Sequence, residues 1–205
     1  DNPDNNKHVY GIDGPLTLAR VDHNLNGIIE LSPSQDYNGD GQVNAEDADS
    51  VKLYFGLRRG GRMYYGMNIS SADSPLVTWK IAPQASAGTI NTGFGELGET
   101  WSKPTLSKLR VAVADSASQS KVKQVLVFGA GYDPLKDEED IADRLADRWG
   151  RDVFIIDADT GSALWSLRQG YYGTSGTQSP VAGARNLAHS VTGDIRSLDM
   201  AGNGA

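Results

Sequence analysis

A twelve-residue segment begins at Asp36 and ends at Asp47. Its first, third and fifth residues carry side-chain oxygens, its sixth is glycine and its twelfth is a carboxylate. Loops of EF-hand type surround a calcium ion with oxygens from positions 1, 3, 5 and 12 and a backbone carbonyl from position 7, and glycine at position 6 permits the sharp turn. The spacing therefore predicts a calcium site with the ligands Asp36, Asn38, Asp40, Gln42 and Asp47.

Two further residues of this loop have predicted places. We expect Val43, at position 8, to pack inward and Asn44, at position 9, to lie near a bridging water. Magnesium fits less well because it keeps several waters and demands octahedral geometry. The alternative is a metal-free turn rich in Asn, Asp and Gly, in which the clustered carboxylates would repel one another.

A second, weaker loop of the same kind starts at Asp22. Its candidate ligands are Asp22, Asn24, Asn26, Ile28 through its carbonyl, and Glu30. Position 12 falls on Pro33, whose side chain cannot coordinate a metal. Two interpretations stay open: the loop takes a carboxylate from elsewhere, such as Asp49, or it is an ordinary Asn-Gly turn.

No catalytic arrangement is recognisable in the sequence. There is no phosphate-binding loop, dinucleotide fingerprint or nucleophile elbow. His8, His23 and His189 are far apart and lack the spacing of metal ligands. The absence of cysteine excludes disulfides and thiol chemistry. We therefore expect no catalytic residues and a protein that is not an enzyme.

The composition excludes two classes of partner. The formal net charge of −7 argues against nucleic acid, which requires a basic footprint. No apolar run approaches the roughly 18 residues of a membrane-spanning helix. We expect neither nucleic acid binding nor a membrane span.

The segments that must position the loops form two similar units. Each has four short runs rich in Val, Ile, Leu, Tyr and Phe, bounded by turn residues. A Phe-Gly pair ends the second run, and a Trp stands in the fourth. Four strands per unit are typical of a β-propeller blade, and a β-sandwich is the alternative. The predicted runs are 16–21, 51–56, 63–69, 76–81, 104–109, 125–129, 153–157 and 163–167.

We therefore predict an all-β fold in which residues 1–205 form part of a β-propeller domain. One blade-like unit spans 10–82, with the calcium loops inserted at 22–49. A second spans 99–168, and a third begins within 190–205. Two units cannot close a ring of 4–8 blades, so we expect further blades from more chain or from a partner.

Three smaller features complete the predicted units. Residues 137–149 break the β pattern, with Ile, Leu and Trp recurring every four residues, and are predicted to form a short inserted helix. Arg58–Arg62 is expected to be a hairpin turn with solvated or internally paired arginines. Trp79 and Trp165 are expected in the core because they occupy equivalent places in the repeat.

Several of these stretches resemble a known family. Residues 53–65, 95–104 and 127–133, together with the Asp-Ala-Asp-Thr-Gly element within 155–161, are similar to the C-terminal β-propeller of the type IV pilus tip-associated proteins, the PilY/PilC family. The similarity runs from about Tyr10 to the end. Gly-Leu-Arg-Arg-Gly-Gly-Arg and Gly-Glu-Leu-Gly-Glu-Thr-Trp are its most specific parts, whereas quinoprotein-type propellers share the last element.

The resemblance implies a seven-bladed propeller at the extracellular or outer-membrane surface of a Gram-negative bacterium. It also implies roles in type IV pilus biogenesis, retraction control and surface attachment, with minor pilins and a host or surface ligand as partners. Calcium dependence is implied as well. The calcium loop known in the family lies in a later blade, however, and residues 199–204 lack its acidic ligands.

Two other classes of function stay open. A quinone-dependent propeller dehydrogenase would absorb in the near ultraviolet and reduce an artificial dye. A dockerin-like module that binds a partner through calcium loops would need two loops of equal quality flanked by helices, and here the flanks are predicted strands.

Overall fold

The computed structural model describes residues 10–37, 41–84, 86, 88–90, 92–113, 116–137, 146–168, 170–171 and 182–197. These residues form an all-β fold of two antiparallel sheets. The first sheet contains β1 (Leu16–Val21), β2 (Ser50–Gly56), β3 (Tyr64–Asn68) and β4 (Leu76–Ile81). The second contains β5 (Thr105–Val113), β6 (Ser116–Gly129), β7 (Val153–Asp157), β8 (Ala163–Ser166) and β9 (Gly170–Tyr171).

Each sheet is a meander in which neighbours along the chain are also neighbours in space. The predicted all-β class is confirmed, and two successive antiparallel meanders are consistent with a partial β-propeller. The sequence-based prediction missed β9 and the full length of the β5–β6 hairpin. Short 3₁₀ turns at Ala45–Asp47, Pro134–Asp137 and Ala184–Asn186 complete the described elements.

The internal repeat is visible in the strand register. Trp79 on β4 lies opposite Gly66 on β3, directly before an irregularity in their pairing. Trp165 on β8 lies opposite Ile155 on β7, also directly before an irregularity. The two sheets therefore use the same strand order and place the same residue type at the same bulge.

Aromatic residues fill the space between the two sheets. The rings of Tyr64 and Phe128 lie 4.3 Å apart, and Phe154 lies 5.7 Å from Phe128. Trp79 donates from its indole nitrogen to the carbonyl of Ala158 (3.0 Å). All five residues belong to one buried cluster, so the two sheets share one core.

The opposite face of the first sheet is apolar and partly exposed. Leu18, Leu53 and Met67 are register partners on that face, and Leu18 is 59% exposed. In the second sheet, the equivalent positions of β6 and β7 hold Leu126 and Ile156, which are fully buried in the shared core. In the second sheet this face packs against the first sheet, whereas in the first sheet the same face is partly exposed.

The structure corrects the prediction for Trp165. This side chain is only half-buried, whereas Trp79 is 5% exposed as expected. Trp79 packs closely over Gly66 and Gly161, whose missing side chains make room for the indole ring. Trp165 faces Ile155 instead, and the described residues place no similar turn over it.

The predicted helix at 137–149 falls mostly outside the described residues. At its start, Asp137 ends the 3₁₀ turn, and 146–149 at its end are not helical. The prediction is therefore wrong for 146–149. Tertiary contacts hold these residues instead: the Asp147 amide donates to Ala188 (2.7 Å), and Trp149 packs under the Arg62 guanidinium (4.1 Å).

The described part of the last segment runs across the end of the second sheet. The Ser102 hydroxyl donates to the carbonyl of Gly193 (2.9 Å), and the Gly131 amide donates to that of Val191 (3.0 Å). Residues 190–197 are not assigned to a strand, so the third unit stays a prediction. No helix among the described residues is long and apolar enough to cross a membrane.

Candidate metal centre

Both predicted calcium loops lie in the connection between β1 and β2, at the edge of the first sheet. In the Asp36 loop, the Gly41 amide donates to Asp36 Oδ2 (2.8 Å), and Gly41 has φ of 86°. This backbone conformation favours glycine and lets the chain fold back over the first residue of the loop. Asn38 and Asp40 lie outside the described residues.

Asp47 closes the Asp36 loop by hydrogen bonds to its backbone. Asp47 is 1% exposed; its Oδ1 accepts from the Tyr37 amide (2.8 Å) and its Oδ2 from the Asn44 amide (3.0 Å). Asn44 caps the 3₁₀ turn by accepting from the Glu46 amide (2.7 Å). The turn thus fixes the buried carboxylate at position 12 against positions 2 and 9.

The prediction for Val43 is wrong, and Gln42 is exposed. Val43 is 54% exposed because the loop projects from the edge strand and no described element covers that side. Exposure of Gln42 is compatible with its predicted use, since position 7 contributes only its carbonyl.

The Asp22 loop is described in full and folds in the same way. The Gly27 amide donates to Asp22 Oδ2 (2.9 Å), and Gly27 has φ of 87°. Asn24 and Asn26 donate from their side-chain amides to the Glu30 carboxylate (2.9 and 2.8 Å). The side chains at positions 3, 5 and 9 therefore meet, while Ile28 is exposed and bonds through its amide to Asn26 Oδ1 (2.7 Å).

Asp49 closes the Asp22 loop, although it lies far from that loop in sequence. It is 4% exposed; its Oδ1 accepts from the His23 amide (2.9 Å) and its Oδ2 from the Glu30 amide (3.1 Å). These backbone bonds, that of His23 first, lower the pKa of Asp49. The Asp49 amide in turn donates to the Glu30 carbonyl (3.0 Å). This bond joins the Asp22 loop to the far end of the β1–β2 connection.

The two loops also touch each other directly. The His23 and Tyr37 rings, both at position 2 of their loops, stack with centroids 4.9 Å apart and an interplanar angle of 12°. Their closing carboxylates, Asp47 and Asp49, are separated in sequence only by Ala48. The loops form one paired unit rather than two separate turns.

Among the described residues of this unit, one buried oxygen has no hydrogen-bond partner. Asp22 Oδ1 is buried and makes no hydrogen bond to the part of the chain that the structure describes, while Oδ2 also pairs with Arg20 (2.5 Å). Among the described residues, no group of three or more His, Cys, Asp or Glu side chains is arranged to hold a metal ion. A loop of this type relies on amide and carbonyl oxygens as well, so its ligands extend beyond those residue types.

The stretches that resemble the pilus-associated family form a junction at the ends of β2 and β6. Thr100 is fully buried, and its Oγ1 accepts from the amides of Leu57 (2.7 Å) and Arg58 (3.2 Å). The Arg58 guanidinium lies over the Trp101 ring (4.6 Å), and Arg62 donates to the Leu97 carbonyl through Nε (2.8 Å) and Nη2 (2.5 Å). The basic turn is therefore largely engaged in structure.

The three histidines do not form a site with one another among the described residues. His189 is exposed at 3.8 Å from Asp147, His23 stacks on Tyr37, and His8 lies outside the described residues.

The comparisons with known proteins include a likeness to a solved structure. No protein-family model matches the chain, and no curated protein matches it. The crystal structure of the C-terminal domain of PilY1 from Pseudomonas aeruginosa overlaps 81% of this chain with 19% identity and a TM-score of 0.43. The chain spans 23% of the length of that protein chain. A likeness at this level is too weak to assign a family or a function.

Proposed function

We propose that this chain is a calcium-binding, non-enzymatic part of a β-propeller in a type IV pilus-associated adhesin or assembly factor. It would act in pilus biogenesis, retraction control and surface attachment, at the extracellular or outer-membrane surface of a Gram-negative bacterium. Its partners would be minor pilins and a host or surface ligand.

The closure of the Asp36 loop by Asp47 is the observation that supports calcium binding best. A buried carboxylate bonded to the amides at positions 2 and 9 holds the loop ends together. The bond from Gly41 to Asp36 directs a second carboxylate across the loop. Hard oxygen donors in this order favour Ca²⁺ over softer metals.

The pilus assignment is supported by the sequence resemblance of 53–65 and 95–104. In the fold these stretches contact each other through Thr100, Arg58 and Trp101. Two motifs that resemble the same family and also contact each other in the fold are harder to obtain by chance than two isolated motifs.

Calcium binding is tested by thermal unfolding and titration calorimetry of the 205-residue chain. Extracellular calcium modules bind with Kd of about 0.1–1 mM, so about 5 mM calcium would stabilise the fold by roughly 1–2 kcal/mol and raise Tm by about 2–8 °C. Asp36→Asn should lose the heat assigned to its loop because it removes charge from position 1. Asp73→Asn, in the exposed β3–β4 turn and outside both loops, is the matched control.

The pilus role is tested separately by binding of immobilised minor pilins, with calcium and with chelator. Calcium-dependent capture that survives Asp73→Asn and is weakened by Asp36→Asn supports the proposal. Absence of calcium heat and of any Tm change overturns the calcium part, whereas absence of pilin binding by a calcium-loaded chain counts against the pilus part. A non-enzymatic chain should not reduce an artificial dye when a quinone cofactor is added.

A further inference from the structure

The Asp22 loop fails the sequence pattern only at position 12, where Pro33 cannot provide a carboxylate. The fold provides one from the far end of the connection. Asp49 accepts from the amides at positions 2 and 9 of the Asp22 loop, and Asp47 accepts from the amides at the same two positions of the Asp36 loop. Asp49 is therefore the structural counterpart of a position 12 residue, contributed from outside the loop.

The unpartnered oxygen of Asp22 points independently to a ligand. The Asp22 side chain is 9% exposed, and its Oδ2 reaches across the loop to the Gly27 amide. Its Oδ1 is thereby held inside, buried and without a hydrogen-bond partner among the described residues. A buried carboxylate oxygen left in this way is costly, and a cation coordinated there would satisfy it.

We propose, resting on the calcium-binding function above, that the Asp22 loop is a second calcium site whose closing carboxylate is Asp49. The other donors are Asp22, Asn24, Asn26, the carbonyl of Ile28 and Glu30. As placed, Asp22, Glu30 and Asp49 do not form a group that could hold a metal, so their carboxylates would have to move towards the bound ion. They comprise carboxylates, amides and a carbonyl, which suit a hard cation with flexible geometry. Asn24 and Asn26 would exchange their present bonds to Glu30 for contacts from their own oxygens, which lie on the same side-chain amides.

Arg20 gives the proposal a distinctive consequence. Its guanidinium pairs with Asp22 Oδ2 (2.5 Å), and its side chain is 48% exposed. A positive charge beside a ligand opposes a bound cation, and at a few ångströms in a solvated setting the repulsion corresponds to about a fivefold loss of affinity. Arg20→Gln should therefore tighten calcium binding at this site, which loss of fold would not do.

Calorimetry and terbium luminescence of the full chain test the proposal by counting sites. The wild-type chain should bind two ions. Asp22→Asn and Asp49→Asn should each leave one, and Asp36→Asn should remove the other. Arg20→Gln should raise the affinity of the site that Asp22→Asn removes by about fivefold. Circular dichroism checks that each variant is folded, and Asp22→Asn keeps an oxygen for the Gly27 amide if Asp49→Asn fails to fold.

The outcomes separate this inference from the proposed function. One ion that is lost in Asp36→Asn and kept in Asp22→Asn overturns the second site and leaves the first intact. One ion that is lost in Asp22→Asn and kept in Asp36→Asn supports the second site and overturns the first. No ion in the wild-type chain overturns both.

Discussion

Thr100 offers the sharpest test of how the two sheets are joined. Its side chain is fully buried at the junction, where Oγ1 accepts from the amides of Leu57 and Arg58 and donates to the carbonyl of Met63 (3.1 Å). Thr100→Val keeps the shape and removes the oxygen. We therefore expect the variant to fold with both amides left without their acceptor.

The expected loss of stability follows from the two backbone amides that Thr100→Val leaves without an acceptor. A buried N–H without an acceptor costs about 1–3 kcal/mol, and the longer bond from Arg58 (3.2 Å) and the partial exposure of this turn put the sum at about 2–3 kcal/mol. Thr100→Ser is the matched control, because it keeps the oxygen and loses one buried methyl group, at a cost of about 1 kcal/mol.

The stability of both variants is measured by guanidinium unfolding, with tryptophan fluorescence as the signal. The midpoint should fall more for Thr100→Val than for Thr100→Ser, with unchanged slopes. The opposite ranking would mean that packing of the methyl group, and not the hydrogen bonds, holds the junction, and the reasoning would be refuted.

Three further predictions concern buried charge and the exposed sheet face. Burial raises the pKa of Asp152, so the stability that Asp152 contributes is lost as pH rises through its folded-state pKa. Asp152→Asn should therefore equal or exceed the wild-type chain in stability at pH 7 and lose that advantage in acid. Thermal unfolding at a series of pH values measures this. Burial also raises the pKa of Asp157, but Lys123 and backbone amides outweigh it and the net pKa is lowered. Its contribution is present above the unfolded-state pKa and lost as pH falls through the folded-state value, so Asp157→Asn should cost about 2 kcal/mol at pH 7 and little in acid. Leu18→Glu should leave Tm unchanged in thermal unfolding, because Leu18 lies on the exposed apolar face, and a clear fall in Tm would show that this face is covered.

Much of the fold could be predicted from the sequence because strand patterns are local. The runs that became β1, β4 and β7 were predicted with their observed bounds, since Val, Ile, Leu and aromatic residues dominate them. The β5–β6 hairpin was underestimated because the polar residues between Val113 and Lys123 are typical of a loop. The strand conformation of Ser116, Ser120 and Lys121 follows from their pairing with Val113, Ala112 and Val111 of β5, which is a property of the hairpin and not of composition.

In the candidate metal site, too, the local features could be predicted from the sequence and the tertiary contacts could not. The spacing of Asp36, Gly41 and Asp47 is local, and in the structure Gly41 bonds to Asp36 while Asp47 bonds to the amide at position 2. Their use as calcium ligands stays a prediction. The role of Asp49 was only one option from the sequence, since it depends on a contact between residues 26 positions apart, from His23 to Asp49. Partial burial of Trp165 was equally invisible, because it depends on what packs over the sheet.

The placement of the paired loops explains how metal binding could influence the propeller. The connection leaves β1 at Val21 and returns at Ser50, which are register partners in the sheet. The bond between Glu30 and Asp49 extends that pairing outward, so the ordering of the loops adds to the end of an existing strand pair. Fixing a loop of this length costs considerable backbone entropy, which ligand binding can offset. Since β1 is an edge strand and carries part of the exposed apolar face, a bound calcium ion would act at this edge of the sheet.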